Sequence, residues 1–200
     1  QMYTRDTAFV VRDQLYFTNI RAFTERNGEI HMLIKLLSSL DISKVQELKS
    51  GSIEGGDVIV DPRGIFVGNG GRTEESTIAE LFEYEEGKRI FLGDHVMHLD
   101  TRLTLLPRGY ALIIPEAFTK EDFDMLNNRY KLIHVLPEEA LDLGTNVLVI
   151  NPETICSPKQ NGRINDMLTH EGFNVEVIDY SEPIALGGSF RCTTLPLVRD

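Results

Sequence analysis

Val58-Ile59-Val60-Asp61-Pro62-Arg63-Gly64-Ile65-Phe66-Val67 sets two short runs of β-branched and aromatic residues on either side of Asp-Pro-Arg-Gly. Asp at the first position of a turn, Pro at the second and Gly at the fourth favour a tight reversal. Residues 58–60 and 65–67 are therefore expected to form a β-hairpin. A helical pattern over 74–84 follows, and 89–92 reads as a further strand.

The same order of elements recurs on both sides of this stretch. Upstream, 8–11 and 14–18 read as a strand pair, followed by a helix over 29–40 with apolar residues at Ile30, Ile34, Leu36 and Leu37. Downstream, 103–106 and 110–114 pair across Pro107-Arg108-Gly109, with a helix over 120–127 and a strand over 131–135. A last copy runs through 146–150, 154–156, a helix over 160–170 and a strand over 174–178. A strand-strand-helix-strand unit repeating about every 45 to 50 residues implies an α/β ring or array of ββαβ modules, not one continuous sheet.

The chain has 200 residues with 42% hydrophobic content, enough for one substantial core, and no linker-like stretch divides it. It is therefore read as one domain over 1–200. A formal net charge of -11 argues against nucleic acid and anionic membrane as partners, because both are met by basic surfaces. A small cationic substrate is compatible with it. No apolar run reaches the length of a membrane span, and the first residues lack the features of a secretory signal. The two cysteines, Cys156 and Cys192, are expected as reduced thiols in the cytoplasm.

Four segments carry the chemistry. They are Tyr3-Thr4-Arg5-Asp6, Glu54-Gly55-Gly56-Asp57, His98-Leu99-Asp100, and Gly187-Gly188-Ser189-Phe190-Arg191-Cys192-Thr193-Thr194-Leu195-Pro196-Leu197. Between them they supply a nucleophile, a proton shuttle and a set of carboxylates. A metal reading of His95-x-x-His98-x-Asp100 would need a helix or tight loop that the segment does not suggest. His31 and His170 are expected to face solvent on helices, His134 to be packed or hydrogen-bonded within an apolar strand, and Cys156 to be a small buried hydrophobe.

In order and approximate spacing these segments resemble the guanidine-modifying enzymes: arginine deiminases, dimethylarginine dimethylaminohydrolases and amidinotransferases. Met97-His98-Leu99-Asp100-Thr101 and Cys192-Thr193-Thr194-Leu195-Pro196-Leu197, followed by Arg199-Asp200, are most similar to the arginine deiminase motifs. The resemblance implies the pentein fold, a fan of five ββαβ modules, of which about four are counted here. An N-terminal module is thus expected to be lacking from this chain, its place taken by a companion chain or by self-association as a homo-oligomer.

A guanidinium carbon is a poor electrophile, because its charge is spread over three nitrogens. Attack needs a strong nucleophile, carboxylates that localise the cation, and an acid for the leaving nitrogen. The resemblance implies Cys192 as nucleophile, His98 as proton shuttle and Glu54 as the support of His98. It further implies Asp6 and Asp100 on the substrate guanidinium and Arg72 on a substrate carboxylate. Glu25 stands where a second such arginine is expected, a change that a decarboxylated or otherwise modified guanidine compound would tolerate better than free arginine; arginine, methylated arginine and agmatine are the substrates left open.

The activity implied is cysteine-dependent hydrolysis of a guanidino compound through a thiouronium intermediate, with no metal and no organic cofactor. Two alternatives stand beside it: an amidinotransferase using the same intermediate, and a non-catalytic binding module of the same fold.

Overall fold

The computed structural model describes residues 2–20, 24–38, 44–93 and 95–198. The first module comprises β1 (Ala8–Val11), β2 (Gln14–Phe17), α1 (Asn27–Leu37) and β3 (Val45–Glu47). The second comprises β4 (Val58–Asp61), β5 (Gly64–Asn69), α2 (Glu75–Leu81) and β6 (Gly87–Phe91). The third holds β7 (Leu103–Leu105), β8 (Tyr110–Ile113), α3 (Lys120–Arg129) and β9 (Lys131–His134). The fourth holds β10 (Leu148–Val149), β11 (Thr154–Pro158), α4 (Gly162–His170) and β12 (Asn174–Ile178), and a short α5 (Ser181–Ala185) follows.

Each module is a three-stranded sheet with its strands in sequence order. An antiparallel hairpin comes first, and the helix carries the chain over to a third strand parallel to the second, as parallel pairing requires a long crossover. The turn after β4 forms as its residues dictate. Asp61 Oδ1 accepts from the Arg63 backbone N–H at 2.8 Å, and Gly64 takes φ +141°, in a region that L side chains rarely adopt.

The chain divides into two compact units, one of residues 1–99 with 192–200 and one of residues 100–191. In the first unit β1 is buried on both faces, and its side chains alternate between two clusters. Phe9 and Val11 join Tyr16, Val58, Val67 and Leu81, while Ala8 and Val10 join Leu15, Phe17, Leu33 and Leu37. Leu195 and Leu197 pack on the second cluster and so fasten the segment that follows Cys192. In the second unit Leu112, Ile133 and Val135 meet Ile155, Ile164 and Leu168.

Some details differ from the sequence reading. Helix α1 starts at Asn27 and ends at Leu37, and residues 39 and 40 lie outside the described residues, as do Arg199 and Asp200. Its inward face carries Ile30, Leu33 and Leu37, whereas Ile34 and Leu36 are exposed, the 3.6-residue period having turned them off the stripe. Strand β3 was not anticipated, because Val45-Gln46-Glu47 offers a single apolar residue and is recruited by parallel pairing with β2. His134 is exposed rather than packed inside; the ring of Phe123 lies edge-on at 6.1 Å, and the His134 backbone carbonyl accepts from Arg163 Nη2 at 3.0 Å. Cys156 is half-buried, because it alternates with Ile155, which takes the core face of β11. His31 and His170 are exposed on their helices, as expected.

Candidate active site

Three candidate residues of the first unit stand at or beside short 3-10 turns that lead into successive hairpins. Asp6 lies in a single 3-10 turn, Thr4–Thr7, immediately before β1. Glu54 leads into another, Gly55–Asp57, before β4. His98 leads into a third, Leu99–Thr101, before β7. Each hairpin thus presents one acid or base at its entrance.

All three side chains are buried, and they meet. His98 Nε2 lies 2.8 Å from Glu54 Oε2, and His98 Nδ1 lies 3.8 Å from Asp6 Oδ1. Glu54 also accepts from Arg72 Nη1, at 3.1 Å to Oε2 and 3.4 Å to Oε1. Asp6 Oδ2 accepts from Arg26 Nη1 at 2.9 Å, and Arg26 is held in turn by Glu29 and by the carbonyl of Tyr3. Two carboxylates therefore stand on opposite nitrogens of one imidazole, each with an arginine behind it.

Burial pushes the carboxyl of Glu54 upward, but the hydrogen bond and charge of His98, joined by Arg72, outweigh it and hold that group below its ordinary value. Burial prevails at Asp6 and raises its pKa against the pull of His98 and Arg26. Asp6, Glu54 and His98 each offer one donor atom within 4.8 Å of the others, a spacing that suits a proton relay or a cation. His95 is exposed and not among them, so His95, His98 and Asp100 do not gather as a ligand set among the described residues.

The two glycines of Glu54-Gly55-Gly56-Asp57 are required by close approach. A Cβ on Gly55 would lie 2.1 Å from the carbonyl oxygen of Arg5, and one on Gly56 would lie 2.7 Å from Cγ of His98. The motif thus touches the Asp6 turn with one glycine and the His98 ring with the other.

Cys192 is buried, and its carbonyl accepts from the Arg5 backbone N–H at 3.1 Å, next to Asp6 in the chain. Arg72 is placed on Glu54. Asp100 opens the second unit, two residues along the chain from His98. Both of its carboxylate oxygens are buried and make no hydrogen bond among the described residues; Nε of Arg191 lies 3.7 Å from Oδ2. Asn146 braces this pair, giving a hydrogen bond to the Asp100 carbonyl at 3.1 Å and taking one from the Arg191 backbone N–H at 3.0 Å. Sequence reasoning missed Arg26 and Asn146. Arg26 left one signal, its i,i+3 spacing from Glu29 at a helix start, and Asn146 left none.

Known proteins are similar to this chain in sequence and in fold. The family profile named arginine deiminase matches residues 122–199. The uncharacterized protein YkgA of Bacillus subtilis is 39% identical over 204 residues, covering 100% of this chain and 70% of YkgA. The bifunctional arginine dihydrolase/ornithine cyclodeaminase AgrE of Nostoc sp. is 26% identical over 216 residues, covering 100% of this chain and 30% of AgrE. The crystal structure of ArgZ, an arginine dihydrolase from cyanobacteria, superposes with a TM-score of 0.89 at 24% identity over 99% of this chain and 33% of that one, which shows a shared fold. The α/β fold of repeated ββαβ modules is the pentein fold. The chain belongs to the guanidine-modifying, or pentein, superfamily.

Proposed function

We propose that this chain is a cysteine-dependent hydrolase of a guanidino compound, similar to arginine deiminase, that leaves a ureido product. The observation that carries the reading is the buried imidazole of His98, 2.8 Å from Glu54 and 3.8 Å from Asp6. A histidine braced by one carboxylate and facing a second is suited to moving protons beside a bound cation.

In this reading Asp6 and Asp100 accept the in-plane N–H groups of the guanidinium, the fork geometry that carboxylates share with arginine. The buried oxygens of Asp100, lacking hydrogen bonds among the described residues, support that role, since a buried acceptor gains most from a charged donor. The Cys192 thiolate adds to the guanidinium carbon, forming a C–S bond. His98 protonates the leaving nitrogen, the C–N bond breaks, and ammonia or an amine departs from a thiouronium intermediate. His98 then takes a proton from water as it adds, the C–S bond breaks, and the thiolate returns with release of the ureido product. Glu54 orients the imidazole throughout. These steps call on no metal or organic cofactor.

Arg72, expected on a substrate carboxylate, has Nη1 on Glu54, so two roles are open to it and their kinetics differ, as argued below. Among the described residues no helix is long and apolar enough to cross a membrane; a cytoplasmic location is part of the proposal. The chain spans 30% of AgrE and 33% of ArgZ.

The test is to incubate the protein separately with L-arginine, agmatine and methylated arginines, measuring ammonia, amine and ureido product. Cys192→Ser serves as the control. One ammonia per ureido product, lost in the variant, is the expected result. A second reading follows from AgrE, named an arginine dihydrolase: two ammonia and one carbon dioxide per arginine, with ornithine as the remaining product, would establish it. Transfer to an added amine would mark an amidinotransferase. No turnover with an intact thiol would favour a binding module.

A further inference from the structure

Four hydrogen bonds close a ring around the two proton-handling residues. The Leu99 backbone N–H donates to Asp57 Oδ1 at 2.9 Å. Thr73 Oγ1 donates to Asp57 Oδ2 at 2.7 Å and accepts from the Glu54 backbone N–H at 3.3 Å. Glu54 Oε2 meets His98 Nε2 at 2.8 Å, and His98 precedes Leu99, which completes the circuit. Asp57 is 1% exposed and Thr73 0%, so water does not compete for these contacts.

The geometry points to Asp57 and Thr73 as positioning residues that fix how His98 and Glu54 face each other, an inference that rests on the function proposed above. A threonine hydroxyl has one hydrogen. Directed at Asp57, it leaves a lone pair for the Glu54 amide and so fixes the backbone from which Glu54 reaches His98. The other oxygen of Asp57 holds the amide next to His98. One carboxylate thereby sets the spacing of both partners from behind.

Two glycines make room for the ring. A Cβ on Gly68 of β5 would lie 2.7 Å from Asp57 Oδ1, and one on Gly56 would strike the imidazole. Asn69 steadies the far side, its Nδ2 donating to the Thr73 carbonyl at 3.1 Å. Asp57 was quoted in the sequence as part of a motif without a role of its own, and Thr73 was not singled out.

The test compares Thr73→Val, which keeps shape and removes the hydroxyl, with Thr73→Ser, which keeps the hydroxyl. Displacement of reacting groups by about 1 Å costs about a hundredfold in rate. Thr73→Val is therefore expected to lower kcat tenfold or more on the guanidino substrate that the wild type turns over, with KM within about twofold. Thr73→Ser is expected to restore most of kcat. In parallel, the imidazole N–H resonance of His98 is followed by NMR in all three proteins, each confirmed folded by its thermal transition.

That resonance is expected to shift in Thr73→Val and to return in Thr73→Ser. If the wild type turns over no guanidino compound yet the resonance behaves in this way, the positioning role stands and the hydrolase reading falls. If kcat and the resonance are unchanged in Thr73→Val, or Thr73→Ser is as impaired as Thr73→Val, the positioning role is overturned.

Discussion

Glu54 Oε2 lies 2.8 Å from His98 Nε2 with both side chains buried, which places a carboxylate where solvent cannot screen it. Its pKa is depressed in the folded protein, because the hydrogen bond and charge of His98, with Arg72, outweigh the upward push of burial. A depressed carboxyl contributes stability that is fully present above its unfolded value and is lost as pH falls through the folded value. The wild type is therefore expected to exceed Glu54→Gln in stability at neutral pH by about 3 kcal/mol, the scale of breaking a buried ion pair. That margin is expected to shrink as pH drops below the ordinary carboxylate range. Urea unfolding across a pH series measures it, and a margin independent of pH would contradict the assignment.

Gly56→Ala puts a methyl group 2.7 Å from the His98 ring, where only backbone or ring displacement relieves the contact. Overpacking of this kind costs about 1–3 kcal/mol. Activity is expected to fall further than stability does, because the atom that must yield is part of the imidazole. Melting temperature and kcat on one protein sample decide it: full activity in a destabilised variant would show that the ring is not displaced.

Arg72 divides two roles by substrate. If it serves Glu54, Arg72→Gln lowers kcat on arginine and on agmatine alike. If it binds a carboxylate, KM rises on arginine alone, since agmatine has none. The contact at 3.1 Å favours the first outcome. Steady-state kinetics on the two substrates separate them.

Dialysis against a chelator is expected to leave turnover unchanged, since the proposed steps run through Cys192 and His98. Activity that disappears and returns with an added divalent cation would give the Asp6, Glu54 and His98 donors a different task.

The hairpins were legible in the sequence because their turns are spelled out by residues such as Asp61, Pro62 and Gly64, whose conformational limits act locally. Strand β3 was not, because Val45 to Glu47 becomes a strand by lying beside Leu15 to Phe17, a contact that no local pattern records. The candidate site shows the same division. Asp6, Glu54 and His98 were legible as motif residues, and the structure brings them together. Arg26 and Thr73 read as ordinary helix-start and loop residues, and only their contacts across the fold reveal the arginine on Asp6 and the hydroxyl on Asp57. Asp100 was legible as a motif residue, but its lack of hydrogen bonds among the described residues was not.

The most direct measurement is mass spectrometry of the protein acid-quenched during turnover, followed by peptide mapping. A covalent thiouronium requires an adduct on Cys192 equal in mass to the substrate less ammonia, or less the amine released, and its absence from Cys192→Ser together with all turnover. Turnover that continues in Cys192→Ser, or an adduct mapped to any residue other than Cys192, would contradict a cysteine-dependent hydrolase built on this site.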